Sequence, residues 1–344
     1  MNIENLFQQA VQQKASDLHL VVGLKPVVRV DGELVYLEEK ELSASAVEEM
    51  VFSILSDGQK ERLKKEKEMD VSFEVKAGDR FRINVRYERD NLSLVARIIS
   101  QKIPTLKELE MPEVVDGLLK IKQGLILVTG PTGCGKSTTL AAMIEDINQK
   151  QNKNIITLED PIEFVFKSQQ SIITQRQLGT DMVSFKSGLK HIVRQDPDVI
   201  MIGEMRDLET VAATVTLAET GHLVLATLHT YSAAQTIDRI IDIFPSHQQG
   251  QIKMQLSSVL AAVVSQRLIS KKKEGRVAAR EILVNTPAVA NLIRESKLAQ
   301  VNTIIETSAK EGMITMEKSL KNLHKAGVID KEEMDAHLLD PWDK

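Results

Sequence analysis

The sequence predicts an α/β protein built in two parts, and three observations carry that prediction. From about residue 113 onward, short apolar runs alternate with helical patterns, the signature of buried parallel strands joined by helices. One of these runs, Leu125 to Val128, leads into a glycine-rich loop and then a helical pattern, Thr138 to Ile147. The first hundred residues carry short alternating stretches of the antiparallel kind instead. A length of 344 residues accommodates two domains of ordinary size.

In the first part, Asn2 to Lys14 has helical spacing, and Asp17 to Val22 and Pro26 to Val30 read as short strands. Asp31-Gly32 supplies a hairpin turn between Val30 and Leu34. Ser43 to Ile54 is an amphipathic helix with a serine start, and the charged stretch Gln59 to Asp70 reads as a solvated helix. Val71 to Val75, Arg80 to Tyr87 and Leu92 to Ile99 alternate like antiparallel strands. Gln101 to Pro112, with Pro104 and Pro112, reads as a linker, so the expected division is 1–100, 101–112 and 113–344.

Beyond the linker, Leu125–Val128, Asn154–Thr157, Ser171–Thr174, Val199–Ile202 and Leu223–Thr227 are strand candidates, two or more of them parallel. Such a sheet binds its ligand at the carboxyl ends of the strands. From Ser246 the chain is expected to be mostly helical: Gln248–Gln266, Pro287–Glu295, Val301–Glu311 and Met316–Ala326.

The loop Gly130-Pro131-Thr132-Gly133-Cys134-Gly135-Lys136-Ser137-Thr138 fits the phosphate-cradling pattern G-x-x-x-x-G-K-[ST]. Its glycines let backbone N–H groups converge on phosphate oxygens, and the following helix adds a positive partial charge. Lys136 can reach the β- and γ-phosphates, and the Ser137 hydroxyl can bind Mg²⁺. A nucleoside triphosphate is therefore the expected ligand. Cys134 reads as a small tolerated residue in this cradle; the sharper expectation is that alkylating it inactivates the protein and that nucleotide protects.

Composition narrows the class. With 42% hydrophobic and 27% charged residues the chain reads as globular. The net charge of −4, the pI of about 6.1 and only 3% aromatics argue against a nucleic-acid partner. The single cysteine excludes an intrachain disulfide or a cysteine-cluster zinc site and suits a reducing cytoplasm. The N-terminus lacks a signal-peptide pattern, and no apolar run reaches the ~20 residues of a membrane span. Any membrane association is expected to be peripheral or through a partner.

Hydrolysis needs a carboxylate near the γ-phosphate, a metal shell and cations for developing charge. Three segments can supply them. In Thr157-Leu158-Glu159-Asp160-Pro161-Ile162-Glu163 an apolar strand ends in three acids around a proline. In Asp198-Val199-Ile200-Met201-Ile202-Gly203-Glu204 a buried strand presents Glu204 after a glycine. The residues alone leave open which of Glu163 and Glu204 acts as base and which supports the metal. In Glu219-Thr220-Gly221-His222 through Leu228-His229-Thr230, two histidines bracket a strand, an arrangement suited to sensing a γ-phosphate.

In order and spacing these segments resemble the secretion-ATPase superfamily: Walker A at 130–138, an Asp box at 157–164, an atypical Walker B at 198–207 and a His box at 218–230. More closely the chain looks like the type IV pilus retraction ATPases, the PilT-like branch. ASDLHL at 15–20, RFRINV at 80–85, SQRL at 265–268 and NLIRE at 291–295 carry that closer likeness. The resemblance implies a PAS-like N-terminal domain and a RecA-like P-loop ATPase domain with a helical C-terminal region. It implies a cytoplasmic homo-hexamer acting on an inner-membrane pilus platform protein, with ATP between the two domains and completed by a neighbouring subunit. It also implies roles: Lys136 and Ser137 for phosphate and Mg²⁺, Glu163 as the favoured water-activating acid, and Glu204 supporting Mg²⁺ and catalysis. His222 and His229 form the His box. Arg82 and Arg97 resemble the arginines that reach the γ-phosphate, and Arg194, Arg206 and Arg239 are further candidates for relaying nucleotide state. Extension and type II secretion motors usually carry an extra N-terminal domain and a four-cysteine insertion, which the single cysteine here disfavours. The retraction hallmark A-I-R-N-L-I-R-E appears at 288–295 with Ala290 in place of its first arginine, so an accessory retraction paralogue stays open.

Overall fold

The computed structural model describes residues 2–30, 32–75, 78–99, 102–273 and 275–338. Asp31 of the expected hairpin turn and Gln101 at the head of the expected linker lie outside the described residues. The chain divides into two compact units, Met1–Lys102 with Pro161–Val165, and Ile103–Asp160 with Phe166–Lys344.

In the first unit α1 (Ile3–Gln12) begins where the Asn2 side chain accepts from the Glu4 amide. Its apolar stripe buries Leu6, Phe7 and Ala10, and the Phe7 ring stacks on Phe81 at 4.2 Å. β1 (Asp17–Leu20), β2 (Val27–Val30), β3 (Glu33–Tyr36), β4 (Glu68–Glu74), β5 (Arg80–Glu88) and β6 (Asn91–Ile99) form one antiparallel sheet in the order β3-β2-β1-β6-β5-β4. Alternation decides the faces: Phe81, Ile83 and Val85 of β5 are buried, and Arg80, Arg82 and Asn84 between them are not. α2 (Ala44–Ser53) is capped by the Ser43 hydroxyl, and α3 (Asp57–Glu66) by a reciprocal Ser56–Gln59 box. The charged stretch is shorter as a helix than its composition predicts. Lys67 takes a left-handed φ of 70° and ends α3, and the buried Met69 and Val71 then pull Glu68–Glu74 into the sheet.

The second unit opens with α4 (Val114–Leu118) and is organised on a seven-stranded sheet. Its strands are β7 (Gly124–Thr129), β8 (Asn154–Glu159), β9 (Ile172–Gln177), β10 (Val199–Ile202), β11 (Leu223–Leu228), β12 (Leu260–Ser270) and β13 (Arg276–Val284), in the order β13-β12-β7-β11-β10-β8-β9. All neighbours pair in parallel except β12 with β13. β7, β10 and β11 are buried at every position, as strands covered on both faces must be. The connecting helices are α5 (Lys136–Lys150), α6 (Phe185–Ile192), α7 (Leu208–Glu219), α8 (Ala233–Asp242) and α9 (Ser246–Val259). The α/β class read from the sequence agrees with this mixed, mainly parallel sheet beside a smaller antiparallel one.

The expected helix Gln248–Gln266 is the main correction. α9 stops at Val259, and Leu260 begins an eleven-residue strand that pairs with β7 and β13. An unbroken apolar run has no period to separate a buried helix from a buried strand, and Ala261 and Ala262 favour the wrong choice locally. Sheet pairing on both edges overrides that propensity. α10 (Pro287–Arg294), α11 (Val301–Thr307), α12 (Met316–Lys325) and α13 (Lys331–Leu338) complete the helical end. Among the described residues, no helix is long and apolar enough to cross a membrane.

Candidate active site

Because β7, β8, β10 and β11 run parallel, their carboxyl ends meet along one edge of the sheet, and the chemistry-bearing residues gather there. β7 delivers the glycine loop. Gly130 has φ +142°, and a Cβ on it would come within 2.3 Å of the Gln266 carbonyl oxygen and 2.6 Å of Cys134 Sγ. Gly135 takes a left-handed φ of 89° at the N-cap of α5. The loop thereby runs into the N-terminus of a fifteen-residue helix, whose N–H groups and positive partial charge suit an anion, as a phosphate cradle requires. Lys136 is 9% exposed and its Nζ donates to the carbonyls of Gly130 (2.9 Å) and Pro131 (3.0 Å), so its ammonium lies across the loop.

Cys134 departs from the sharper expectation. Its side chain is 3% exposed and faces the back of the loop rather than solvent. Burial pushes the thiol above its usual range, against the pull of Lys136. A thiol reagent is expected to label the native protein far more slowly than the urea-unfolded chain; equal rates in a labelling time course would show that Cys134 is accessible.

β10 and β11 bring up an acid and a base. Ile202 pairs with Leu158 on one side and Ala226 on the other, so Gly203 and Glu204 emerge beside the ends of β8 and β11. Gly203 occupies a tight passage: a Cβ there would lie 3.3 Å from the Leu158 carbonyl oxygen, which accounts for the glycine just after this strand. Glu204 Oε2 meets Arg206 Nη2 at 2.8 Å, and Oε1 meets His229 Nε2 at 3.3 Å. His229 Nδ1 in turn lies 3.3 Å from Lys136 Nζ. Burial, then the Lys136 charge, holds His229 below its usual range, so the ring is neutral at pH 7. Only one tautomer serves both neighbours: Nε2–H donates to Glu204 and Nδ1 accepts from Lys136. Burial works to raise Glu204, but Arg206, His229 and Lys136 outweigh it and hold the carboxyl below its usual range. The result is a continuous line, Lys136–His229–Glu204–Arg206, across three strand ends.

The remaining expected site residues are distributed differently. Glu159 is buried, accepting from the Thr157 hydroxyl at 2.6 Å and the Gln175 amide at 3.0 Å; it ties β8 to β9. Glu163 is half-buried in Pro161–Val165, the segment grouped with the first unit. His222 is not brought to the phosphate loop. It precedes β11 at the amino edge of the sheet, where its Nδ1 contacts the Leu217 carbonyl at 2.8 Å and its own carbonyl accepts from Gly124 N. The six residues of β11, roughly 20 Å of extended chain, separate it from His229. Two histidines bracketing a strand necessarily lie at opposite sheet edges, so His222 is not positioned to read the same phosphate group.

Within the first unit Arg82 and Arg97 stand directly opposite each other on β5 and β6, on the face away from the core. Like charges so placed repel. Asp17 offsets the repulsion by accepting from Arg97 Nε at 2.9 Å, and Asp70 lies 3.9 Å from Arg82. Arg194 and Arg239 are exposed.

Two residues of the SQRL stretch receive no site role from the sequence, because their segment reads as helix. Ser265 shares a 2.8 Å hydrogen bond with the Thr129 hydroxyl, which reaches Thr236 at 3.5 Å and through it Thr230, beside His229. Gln266 bonds Thr139 and the Cys134 carbonyl. The legible signal was a polar Ser-Gln-Arg run ending an apolar stretch that abuts the phosphate strand.

Residues 1–335 match the family described as type II/IV secretion system protein. The type IV pilus retractation ATPase PilT of Pseudomonas aeruginosa is 45% identical over 332 residues, 96% of each chain. The type IV pilus ATPase PilU of the same organism is 39% identical over 338 residues, 98% of this chain and 88% of its own. The crystal structure of the pilus retraction motor PilT with bound ADP superposes with a TM-score of 0.93 at 43% identity, covering 100% of this chain and 99% of that one. With a phosphate loop, its acid and its histidine at the parallel strand ends, and likeness along the whole length, the chain belongs to the type II/IV secretion system protein family.

Proposed function

We propose that this chain is the ATP-hydrolysing motor of type IV pilus retraction. The observation that carries the reading is the line Lys136–His229–Glu204–Arg206 laid across the phosphate loop, in a chain 45% identical to a retractation ATPase over 96% of both. The loop amides of 130–138 and Lys136 hold the phosphates. Ser137 and Glu204 fit Mg²⁺ held mainly by phosphate oxygens and water: among the described residues there is no cluster of three or more His, Cys, Asp or Glu that would cage a metal alone. When Mg²⁺ is bound it neutralises charge developing between the β- and γ-phosphates.

The chain's own residues then do the following. Lys136 turns from the loop carbonyls toward phosphate and releases His229 Nδ1. His229, neutral and hydrogen-bonded to Glu204, passes that change to the acid and its Arg206 partner. Glu163 is the favoured base for water, with Glu204 supporting the metal. Arg82 and Arg97 supply positive charge for the γ-phosphate. The protein acts as a homo-hexamer on an inner-membrane platform protein, with residues 1–100 and 113–344 as its two domains joined by 101–112. An accessory retraction role is the second reading, favoured by Ala290 in place of the hallmark's first arginine.

Phosphate release by the purified protein tests the enzymatic part. Turnover that needs Mg²⁺ and is indifferent to DNA is expected; DNA-stimulated, salt-sensitive turnover would point to a nucleic-acid motor instead.

A further inference from the structure

We propose that Gln266 is a positioning residue for the phosphate loop, fastening it to β12 through a single buried amide; the proposal rests on that loop being the nucleotide site. β12 runs parallel to β7 with Ser265 opposite Thr129, so Gln266 falls level with Gly130, the first residue of the loop. Its backbone oxygen fills the space that a Cβ on Gly130 would need, at 2.3 Å. The residue is 1% exposed, and both ends of its amide are used. Nε2 donates to the Cys134 carbonyl at 2.9 Å, and Oε1 accepts from the Thr139 hydroxyl at 2.9 Å.

Cys134 lies within the loop and Thr139 in the first turn of α5. One planar group of fixed geometry therefore spans the two segments whose N–H groups converge on phosphate. The residue type follows from that task. Leucine leaves a buried carbonyl and a buried hydroxyl unmet, and glutamate keeps the Thr139 bond but offers Cys134 no donor. The same backbone contact excludes a side chain at position 130, so Gln266 shapes the loop from behind by sterics and by hydrogen bonds together. Its amide is buried and engaged with Cys134 and Thr139 behind the loop, so its effect should fall on ground-state binding rather than on the chemical step.

The test compares Gln266→Leu, Gln266→Glu and Thr139→Val by binding of a fluorescent ADP and by steady-state phosphate release. Gln266→Leu is expected to weaken ADP about tenfold and to raise KM in parallel, with kcat changed less than about threefold. Gln266→Glu is expected between it and wild type. Thr139→Val is expected to weaken ADP about threefold and to add nothing further in the Gln266→Leu background, since the bond it removes is already gone. Wild-type ADP affinity in a folded Gln266→Leu protein, or a fall in kcat with KM unmoved, overturns the proposal. If Gln266→Leu does not fold, wild-type affinity in Thr139→Val overturns it. Undiminished ADP binding by Lys136→Ala is a different failure, because it would remove the nucleotide site on which the proposal stands.

Discussion

Replacing Lys136 with alanine is expected to reduce ATP hydrolysis by at least about a hundredfold, the scale for losing one cationic group aimed at developing phosphate charge. The side chain is 9% exposed, and its ammonium already lies over the loop carbonyls, within 3.3 Å of His229. Removing it deletes the charge from the phosphate site and also frees His229. Lys136 is one of the two leading causes that keep the imidazole neutral, so the ring's pKa should rise toward its ordinary value in the variant. Titrating His229 by NMR in both proteins separates this local electrostatic change from simple loss of binding. A Lys136→Ala protein hydrolysing ATP at the wild-type rate would remove the loop from the mechanism.

The second large effect is expected at Glu204. Glutamine preserves size but not charge, so Glu204→Gln can neither balance Arg206 nor support a metal. Hydrolysis should fall by about a hundredfold or more, while nucleotide affinity stays within about threefold because the phosphate loop itself is untouched. Equilibrium binding of labelled ADP beside phosphate release reads both quantities. Comparable losses in affinity and turnover would mean that Glu204 holds the loop together rather than serving the reaction.

Much of this arrangement was legible in the residues. The phosphate pattern, the flanking strand and helix, and the acid after Ile202 each have a local cause that a sequence displays. Arg82 and Arg97 could be placed on neighbouring strands by alternation alone, and they stand in register. What stayed hidden depends on pairing between distant segments. β12 reads as the end of a helix until β7 and β13 claim it, and with it went Ser265 and Gln266. His222 and His229 look equivalent in sequence, yet a strand between them assigns them to opposite edges. Cys134 lies inside a phosphate motif, and only the approach of β12 turns its thiol inward.

The central claim is that ATP turnover at this loop withdraws pili, and recording the length of labelled pili on living cells tests it most directly. Cells lacking the gene should carry abundant surface pili that do not shorten. The wild-type gene should restore shortening, and the Lys136→Ala gene should not. Pili that still shorten in the deletion strain, or a surface with no pili at all, would contradict the account.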